Sequence, residues 1–374
     1  MKRLRIAVLG CGRIGSAIAR DLSADFDVTA LDINSEVLDE ISRKFGIRTS
    51  RLDLTDKDEL KKYLDQTDAV VSAVPGFMGY KVLKTIIELG KDVVDISFFN
   101  EDPFSLEELA REREVRVVID CGVAPGLSNI VLGHHAAREK VLEYTCLVGG
   151  LPVKREAPFE YKAPFSPIDV IAEYTRPSRL VREGKIMILP ALSECEDVEI
   201  EGVGLLEAFN TDGLRSIIST MKVPNMVEKT LRYPGHAHLM KAFREGGFFS
   251  ESERLIGHVK VRPLDLTSQL LFEHWKPAAD EEEFTVMRID LGGENGQWKY
   301  QILDRGDPEN GMTSMARLTG FTCTSVLRFI IDENVAAGLW PPEVLAGRYK
   351  LLDRVLNDLV QKSVSIKIQG PKKS

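Results

Sequence analysis

The feature that most constrains how this chain folds lies at its start. An apolar run, Leu4-Arg5-Ile6-Ala7-Val8-Leu9, feeds directly into Gly10-Cys11-Gly12-Arg13-Ile14-Gly15, and a second run over 27–31 ends in Asp32. Strand, glycine turn, helix, second strand and terminal acid are the parts of a dinucleotide-binding βαβ unit. Each part has a physical task. Gly10 permits the tight turn out of the strand, Gly12 lets the backbone approach a pyrophosphate, and Gly15 lets the next helix pack closely on the sheet. That helix, over 12–22, begins with Arg13 and Ile14 and aims its free N–H groups and positive dipole end at the phosphates.

Asp32 also discriminates between cofactors. A carboxylate there accepts hydrogen bonds from both ribose hydroxyls and repels a 2′-phosphate, and the next residues, Ile33 and Asn34, bring no cation to neutralise one. The residues therefore indicate NAD. Arg13, with Arg43-Lys44 further on, is the feature that argues for NADP.

At 374 residues the chain exceeds the usual size of one domain, so two are expected. Its apolar content of 44%, charged content of 28% and net charge of −8 fit a globular protein and argue against nucleic-acid or anionic-membrane partners. No apolar run approaches the ~20 residues that span a bilayer. Met1-Lys2-Arg3 is followed by a run broken at Gly-Cys-Gly-Arg, which reads as a buried strand and not as a leader. The five cysteines are scattered, with no C-x-x-C, which suits a reducing, cytoplasmic setting with free thiols. His134 and His135 are adjacent on a helix and face different ways, so no metal site is expected. The basic tail 370–374 reads as disordered.

Up to residue 120 the sequence alternates strands (5–9, 27–31, 48–53, 69–74, 92–96, 116–120) with helices, the pattern of a parallel, doubly wound α/β Rossmann sheet. Beyond Asp120 the texture changes to strands with longer loops. These include a hairpin of 284–291 and 297–303, joined through Gly292-Gly293-Glu294-Asn295-Gly296. Helices follow over 312–334 and 342–361. The expected organisation is a nucleotide-binding domain (1–122), an α+β substrate-binding and dimerisation domain (123–311), and C-terminal helices (312–374) that return to the first domain.

Four segments carry a family likeness. Asp120-Cys121-Gly122-Val123-Ala124-Pro125-Gly126-Leu127, Lys229-Thr230-Leu231-Arg232-Tyr233-Pro234-Gly235-His236, Ala316-Arg317-Leu318-Thr319-Gly320-Phe321 and Gly338-Leu339-Trp340-Pro341-Pro342-Glu343 resemble segments of saccharopine dehydrogenase-like proteins. The likeness spans almost the whole chain. Within that family it is nearest to the lysine 6-dehydrogenase branch, which oxidises the side-chain amine of lysine with NAD to a cyclising semialdehyde and ammonia. Saccharopine-reducing members carry an Asn-Arg-Asp-Ser-like segment whose Arg grips a substrate carboxylate. The counterpart here is Asn210-Thr211-Asp212-Gly213, with Arg215 nearby, and the lost cation suits a less acidic substrate. A saccharopine dehydrogenase or a carboxylated-polyamine reductase is the enzymatic alternative, and a nucleotide-sensing protein without turnover is the non-enzymatic one. The resemblance also implies a homodimer or larger assembly.

Ligands of such folds sit beyond the C-terminal ends of the strands. Asp53 and Leu54 end the third strand, near the expected adenine. Val74 and Pro75 end the fourth, near the second ribose, unless Pro75 merely stops the strand. Ser97 follows the fifth. Asp120 ends the sixth and is placed to accept a proton or hold the amine; the alternative is an Asx-type turn residue ordering the Gly122 loop. Cys121 and Gly122 would border the cofactor. In the second domain, Lys162 is a candidate acid or base and Arg232 a bidentate partner for the α-carboxylate, with an ion pair as its alternative. Tyr174, Thr211 and His236 complete the substrate candidates.

Overall fold

The computed structural model describes residues 3–163, 167–278 and 281–371. In chain order the first elements are β1 (Arg5–Leu9), α1 (Arg13–Leu22), β2 (Asp27–Asp32), α2 (Ser35–Phe45), β3 (Arg48–Arg51), α3 (Lys57–Leu64), β4 (Ala69–Ser72), α4 (Gly76–Glu88), β5 (Asp92–Asp95), α5 (Glu107–Glu112), β6 (Arg116–Val118) and α6 (Leu127–Ala136). Then come β7 (Val141–Pro152), α7 (Pro167–Thr175), β8 (Ser178–Arg182), β9 (Lys185–Leu189), β10 (Glu196–Ile200), β11 (Gly204–Asn210), α8 (Ile217–Thr220), β12 (Asn225–Arg232), α9 (His236–Glu245), β13 (Arg254–Ile256), β14 (Val259–Val261), α10 (Pro263–Trp275), β15 (Glu283–Gly293) and β16 (Gly296–Asp304). The chain ends with α11 (Ser314–Asp332), β17 (Gly338–Trp340), α12 (Pro342–Arg348), α13 (Leu351–Gln361) and β18 (Ser365–Gln369).

These form two compact units, Met1–Arg138 with Ala316–Val364, and Glu139–Met315 with Ser365–Ser374. The first is built on a parallel sheet ordered β17-β6-β5-β4-β1-β2-β3. Among β1–β6 this is the doubly wound order, with its switch point between β1 and β4. Strands covered on both faces need continuous apolar runs, and Val8, Leu9, Val70, Val71, Val93, Val94, Val117 and Val118 are all fully buried. Edge strand β3, Arg-Thr-Ser-Arg, has no such demand. Helix starts follow local chemistry: the side chains of Asn34 and Asp56 accept the first free N–H groups of α2 and α3.

Two differences from the expected organisation have clear causes. Helix α6 stays with the first unit, so that unit runs past residue 122 to 138. Gly133 is the reason: a Cβ there would lie 2.0 Å from the carbonyl oxygen of Glu343, so only glycine lets α6 lie against α12. The Asn129 amide donates to the buried Glu343 carboxylate across the same contact, at 3.1 Å. In addition, the helical stretch expected over 342–361 is broken. Tyr349 is extended, and its ring packs edge-on against Phe329 and Trp340. Just before α12, β17 adds a seventh strand beside β6.

The second unit holds a mixed sheet, β10-β11-β12-β7-β15-β16-β18, with β8 pairing β12 and β9. Strands β12 and β7 are parallel, and the other ladders are antiparallel. The expected hairpin is β15–β16, closed by Glu294-Asn295. Helix α7 packs on α9 and α10, and Tyr174, Trp275, Phe209 and Leu231 lie in the core. Residues 365–369 form a strand on β16, while 372–374 of the tail lie outside the described residues. Among the described residues no helix is long and apolar enough to cross a membrane, and no group of three His, Cys, Asp or Glu is placed to hold a metal.

Overpacking a close contact of this kind costs roughly 1–3 kcal/mol. Gly133→Ala is therefore expected to lower the urea midpoint with an unchanged slope. An unchanged midpoint would mean that α12 yields freely.

Candidate functional site

All parallel strands of the first unit end on one edge, and the glycine turn sits at its centre. Gly10 takes φ +84°, and a Cβ on Gly15 would lie 1.8 Å from the Gly10 carbonyl oxygen, so α1 is pressed onto the turn. Gly12 caps α1 facing open space, with nothing within 4 Å of where a Cβ would be. The first turn, Arg13-Ile14-Gly15, thus offers N–H groups beside an unobstructed backbone, which fits a pyrophosphate. Asp32 ties the site together: its carboxylate accepts the Cys11 N–H (2.6 Å) on one oxygen and the Asn34 N–H (2.8 Å) on the other. Each oxygen keeps a lone pair for a ribose hydroxyl. Ile33 beside it is 59% exposed and offers an apolar surface. Sequence reasoning missed Arg51. Strand pairing sets it opposite Asp32, and its Nε donates to the Ile33 carbonyl.

The other edge residues differ in what they offer. Asp53 is exposed, and its carboxylate accepts the N–H and hydroxyl of Thr55, which lower its pKa. Leu54 and Val74 are buried, and Pro75 is exposed at the start of α4. The Ser97 N–H and hydroxyl both donate to Asp95 (2.9 and 3.1 Å), so Ser97 is committed to that carboxyl. Burial raises Asp95 to about 7, with nearby Asp120 adding repulsion. Asp120 is buried with φ +50°, a left-handed turn geometry. Gly122 is buried, its N–H on the Pro125 carbonyl. The Cys121 side chain is fully buried beside the Cys323 thiol, and its N–H donates to the Asp95 carbonyl at 3.0 Å.

In the second unit the polar groups gather along β12. Residues two apart on a strand share a face, and Glu228, Thr230 and Arg232 all point the same way. Arg232 donates from Nη2 to Glu173 on α7 (2.8 Å), from Nη1 to the Leu231 carbonyl (2.9 Å), and more weakly to the Tyr174 and Tyr161 hydroxyls (3.4 Å each). Its guanidinium also lies 4.5 Å from the Tyr161 ring centroid. Most of its N–H groups are thus engaged, and its charge is paired with Glu173. His236 has Nδ1 3.0 Å from the Phe159 carbonyl, which can only accept, so Nδ1 carries the proton. Burial and the Arg232 charge lower its pKa to about 3 and keep it neutral. Nε2 therefore accepts from the Tyr174 hydroxyl at 3.0 Å.

Thr211 belongs to the adjoining cluster. Its hydroxyl donates to Glu228 Oε2 (2.6 Å) and lies 2.9 Å from the Thr230 hydroxyl. The Nε–Nη2 edge of the Arg179 guanidinium donates one hydrogen bond to each Asp212 oxygen, at 2.8 and 2.9 Å. Lys162 joins neither cluster. It bonds the His274 carbonyl at 3.1 Å and approaches Glu156, while its neighbour Tyr161 reaches Arg232. The structure thus brings together Tyr174, Arg232 and His236, sets Thr211 beside them, and adds Glu173 and Glu228, which sequence reasoning missed. The alternation of polar residues at 228, 230 and 232 was the signal that could have found the last.

Comparison with known proteins agrees with this architecture. The saccharopine dehydrogenase NADP binding domain matches residues 6–119, which form a pyridine-nucleotide-binding domain, and the saccharopine dehydrogenase C-terminal domain matches 122–364. Alpha-aminoadipic semialdehyde synthase of Arabidopsis thaliana is 28% identical over 66% of the chain, which there spans 25% of that protein, and the mouse protein is matched over 34% of its length. Saccharopine dehydrogenase [NADP(+), L-glutamate-forming] of Schizosaccharomyces pombe is 24% identical, over 86% of this chain and 89% of its own. The apo, histidine-tagged saccharopine dehydrogenase (L-Glu forming) from Saccharomyces cerevisiae shares the fold, with a TM-score of 0.79 at 18% identity, covering 98% of this chain and 100% of that one. With both domain models matched in order along its length, the chain belongs to the saccharopine dehydrogenase family.

Proposed function

We propose that the protein is an NAD-dependent dehydrogenase that oxidises the side-chain amine of L-lysine. Lysine, NAD+ and water give the semialdehyde, NADH, ammonium and a proton, and the semialdehyde then cyclises with loss of water. One observation carries this reading. Thr211, which the family resemblance sets in the place of the carboxylate-gripping Arg of saccharopine-reducing members, is bonded to a buried acid, Glu228. An acid-lined site suits an amine and opposes a second carboxylate.

Bound NAD supplies the hydride acceptor. The chain's own residues hold it: the α1 N-terminus takes the pyrophosphate, and Asp32 takes the ribose hydroxyls. Asp120, on the same strand-end edge, is the group proposed to accept the proton that leaves the amine and later to assist the water that releases ammonia. Arg232, Tyr174 and His236 form a rigid polar wall in which a neutral imidazole and a phenol keep fixed roles. Arg51 beside Asp32, and the relatives named for NADP(+), favour a second reading: reduction of the imine of the semialdehyde and glutamate with NADPH.

NADH formation from L-lysine and NAD tests the first reading. Because a free lysine amine has a pKa of about 10.4, turnover is expected to rise from neutral toward alkaline pH. NADPH consumption with semialdehyde plus glutamate, and none of the lysine reaction, would establish the second reading instead. Asp32→Ser removes the charge that repels a 2′-phosphate. It is expected to lower the preference for NAD over NADP by about tenfold, equivalent to ~1.4 kcal/mol. Equal ratios in both proteins would place the discrimination elsewhere.

A further inference from the structure

Glu228 is an uncommon occupant for the interior face of a central strand, being only 5% exposed. Its Oε2 accepts from the Thr211 hydroxyl and from the Gly213 N–H at 3.1 Å. Among the described residues no donor reaches its Oε1. Burying a carboxyl with an open oxygen is costly, and such a group persists where something else supplies the donor. The turn is built around it: a Cβ on Gly213 would lie 2.5 Å from the Glu228 carboxyl carbon.

Glu173 stands near enough for its charge to disfavour ionisation of Glu228. One of its oxygens bonds Arg232, and among the described residues none bonds the second. Glu173 keeps 26% of its side-chain surface accessible, although desolvation by surrounding protein raises its pKa. Two adjacent acids with open acceptor oxygens match one chemistry, a primary ammonium with its single charge and three N–H donors. They repel a carboxylate.

We propose that Glu228, supported by Glu173, is a specificity-determining residue that takes a primary ammonium group of the amino-acid substrate and turns away amines carrying a carboxylated branch. This rests on the amine-oxidising reading above. Burial raises Glu228 to about 8; Glu173 on α7 and Asp212 after β11 add repulsion, and Thr211 and Gly213 oppose the rise. The cations facing this group are Arg232 on Glu173, Arg179 on Asp212, and Arg176 near Asp212. The Glu228 charge therefore appears as pH rises through that region, while a side-chain ammonium with a pKa of about 10.4 stays protonated. Ammonium binding should tighten accordingly.

The test is the pH dependence of KM for L-lysine in the wild type, Glu228→Gln and Glu228→Asp, with NADH affinity confirming that each protein is folded. The wild-type KM is expected to fall as pH rises from about 6.5 to about 9. Glu228→Gln should raise KM roughly tenfold above the titration, with a smaller change in kcat and a flat KM profile. Glu228→Asp should keep the pH dependence. If Glu228→Gln does not fold, Thr211→Val serves: loss of its hydrogen bond should move the KM inflection to higher pH. An unchanged KM, or a wild-type pH profile in Glu228→Gln or Thr211→Val, overturns the proposal. If the wild type forms no NADH from lysine, the reaction reading fails by itself. Calorimetric titration of lysine into NADH-bound protein then decides the subsite: binding weakened in Glu228→Gln sustains it, and equal or absent binding refutes it.

Discussion

The nucleotide side of the molecule depends on the missing Cβ at residue 15. With Gly15 against the Gly10 carbonyl, α1 can start almost on top of the β1 turn, and its N-terminus lies within reach of a ligand at the sheet edge. The Cys11 N–H, in the same turn, is then placed to bond Asp32. One close approach thus sets the helix dipole, the turn and the Asp32 carboxylate in a fixed relation. Any larger residue would force α1 outward and loosen all three.

The second unit solves a different problem, that of keeping charge inside a protein. Strand β12 turns Lys229 to one side, where it meets the Glu194 carbonyl and Glu196, and sends Glu228, Thr230 and Arg232 to the other. Desolvated charges are tolerated only when paired and hydrogen-bonded. Arg232 meets that condition through Glu173, two phenols, a carbonyl and an aromatic face. The Phe159 carbonyl fixes the His236 tautomer, and His236 in turn fixes the direction of the Tyr174 hydroxyl. Backbone geometry therefore decides which way the proton points two side chains away.

How much of this was legible in the sequence depended on the range of the physics involved. The glycine turn and Asp32 are local, and they were read directly. The strands β1, β2, β4, β5 and β6 announced themselves as apolar runs, while the polar β3 gave a weaker signal. Strand β17 gave none, because three residues carry no period. The break before α13 is set by the packing of the Tyr349 ring, which has no local sign. Tyr174, Arg232 and His236 were singled out separately, but only tertiary packing of α7, β12 and α9 brings them into one network. Tyr161 and Lys162 illustrate the limit: in an extended segment, which of two neighbours meets Arg232 is settled by what lies opposite. Arg51 was invisible for a similar reason, since its nearness to Asp32 is a matter of strand register.

The division of the chain between the units has a consequence for how the protein can be made. The polypeptide passes from one unit to the other after residues 138, 315 and 364, so neither unit is a continuous stretch. The first sheet receives its seventh strand only from residues 338–340, and the second its outer strand only from 365–369. On a ribosome both sheets would wait, incomplete, for the last tenth of this sequence. No single cut could release either half with all its strands, so the two halves are obliged to mature together.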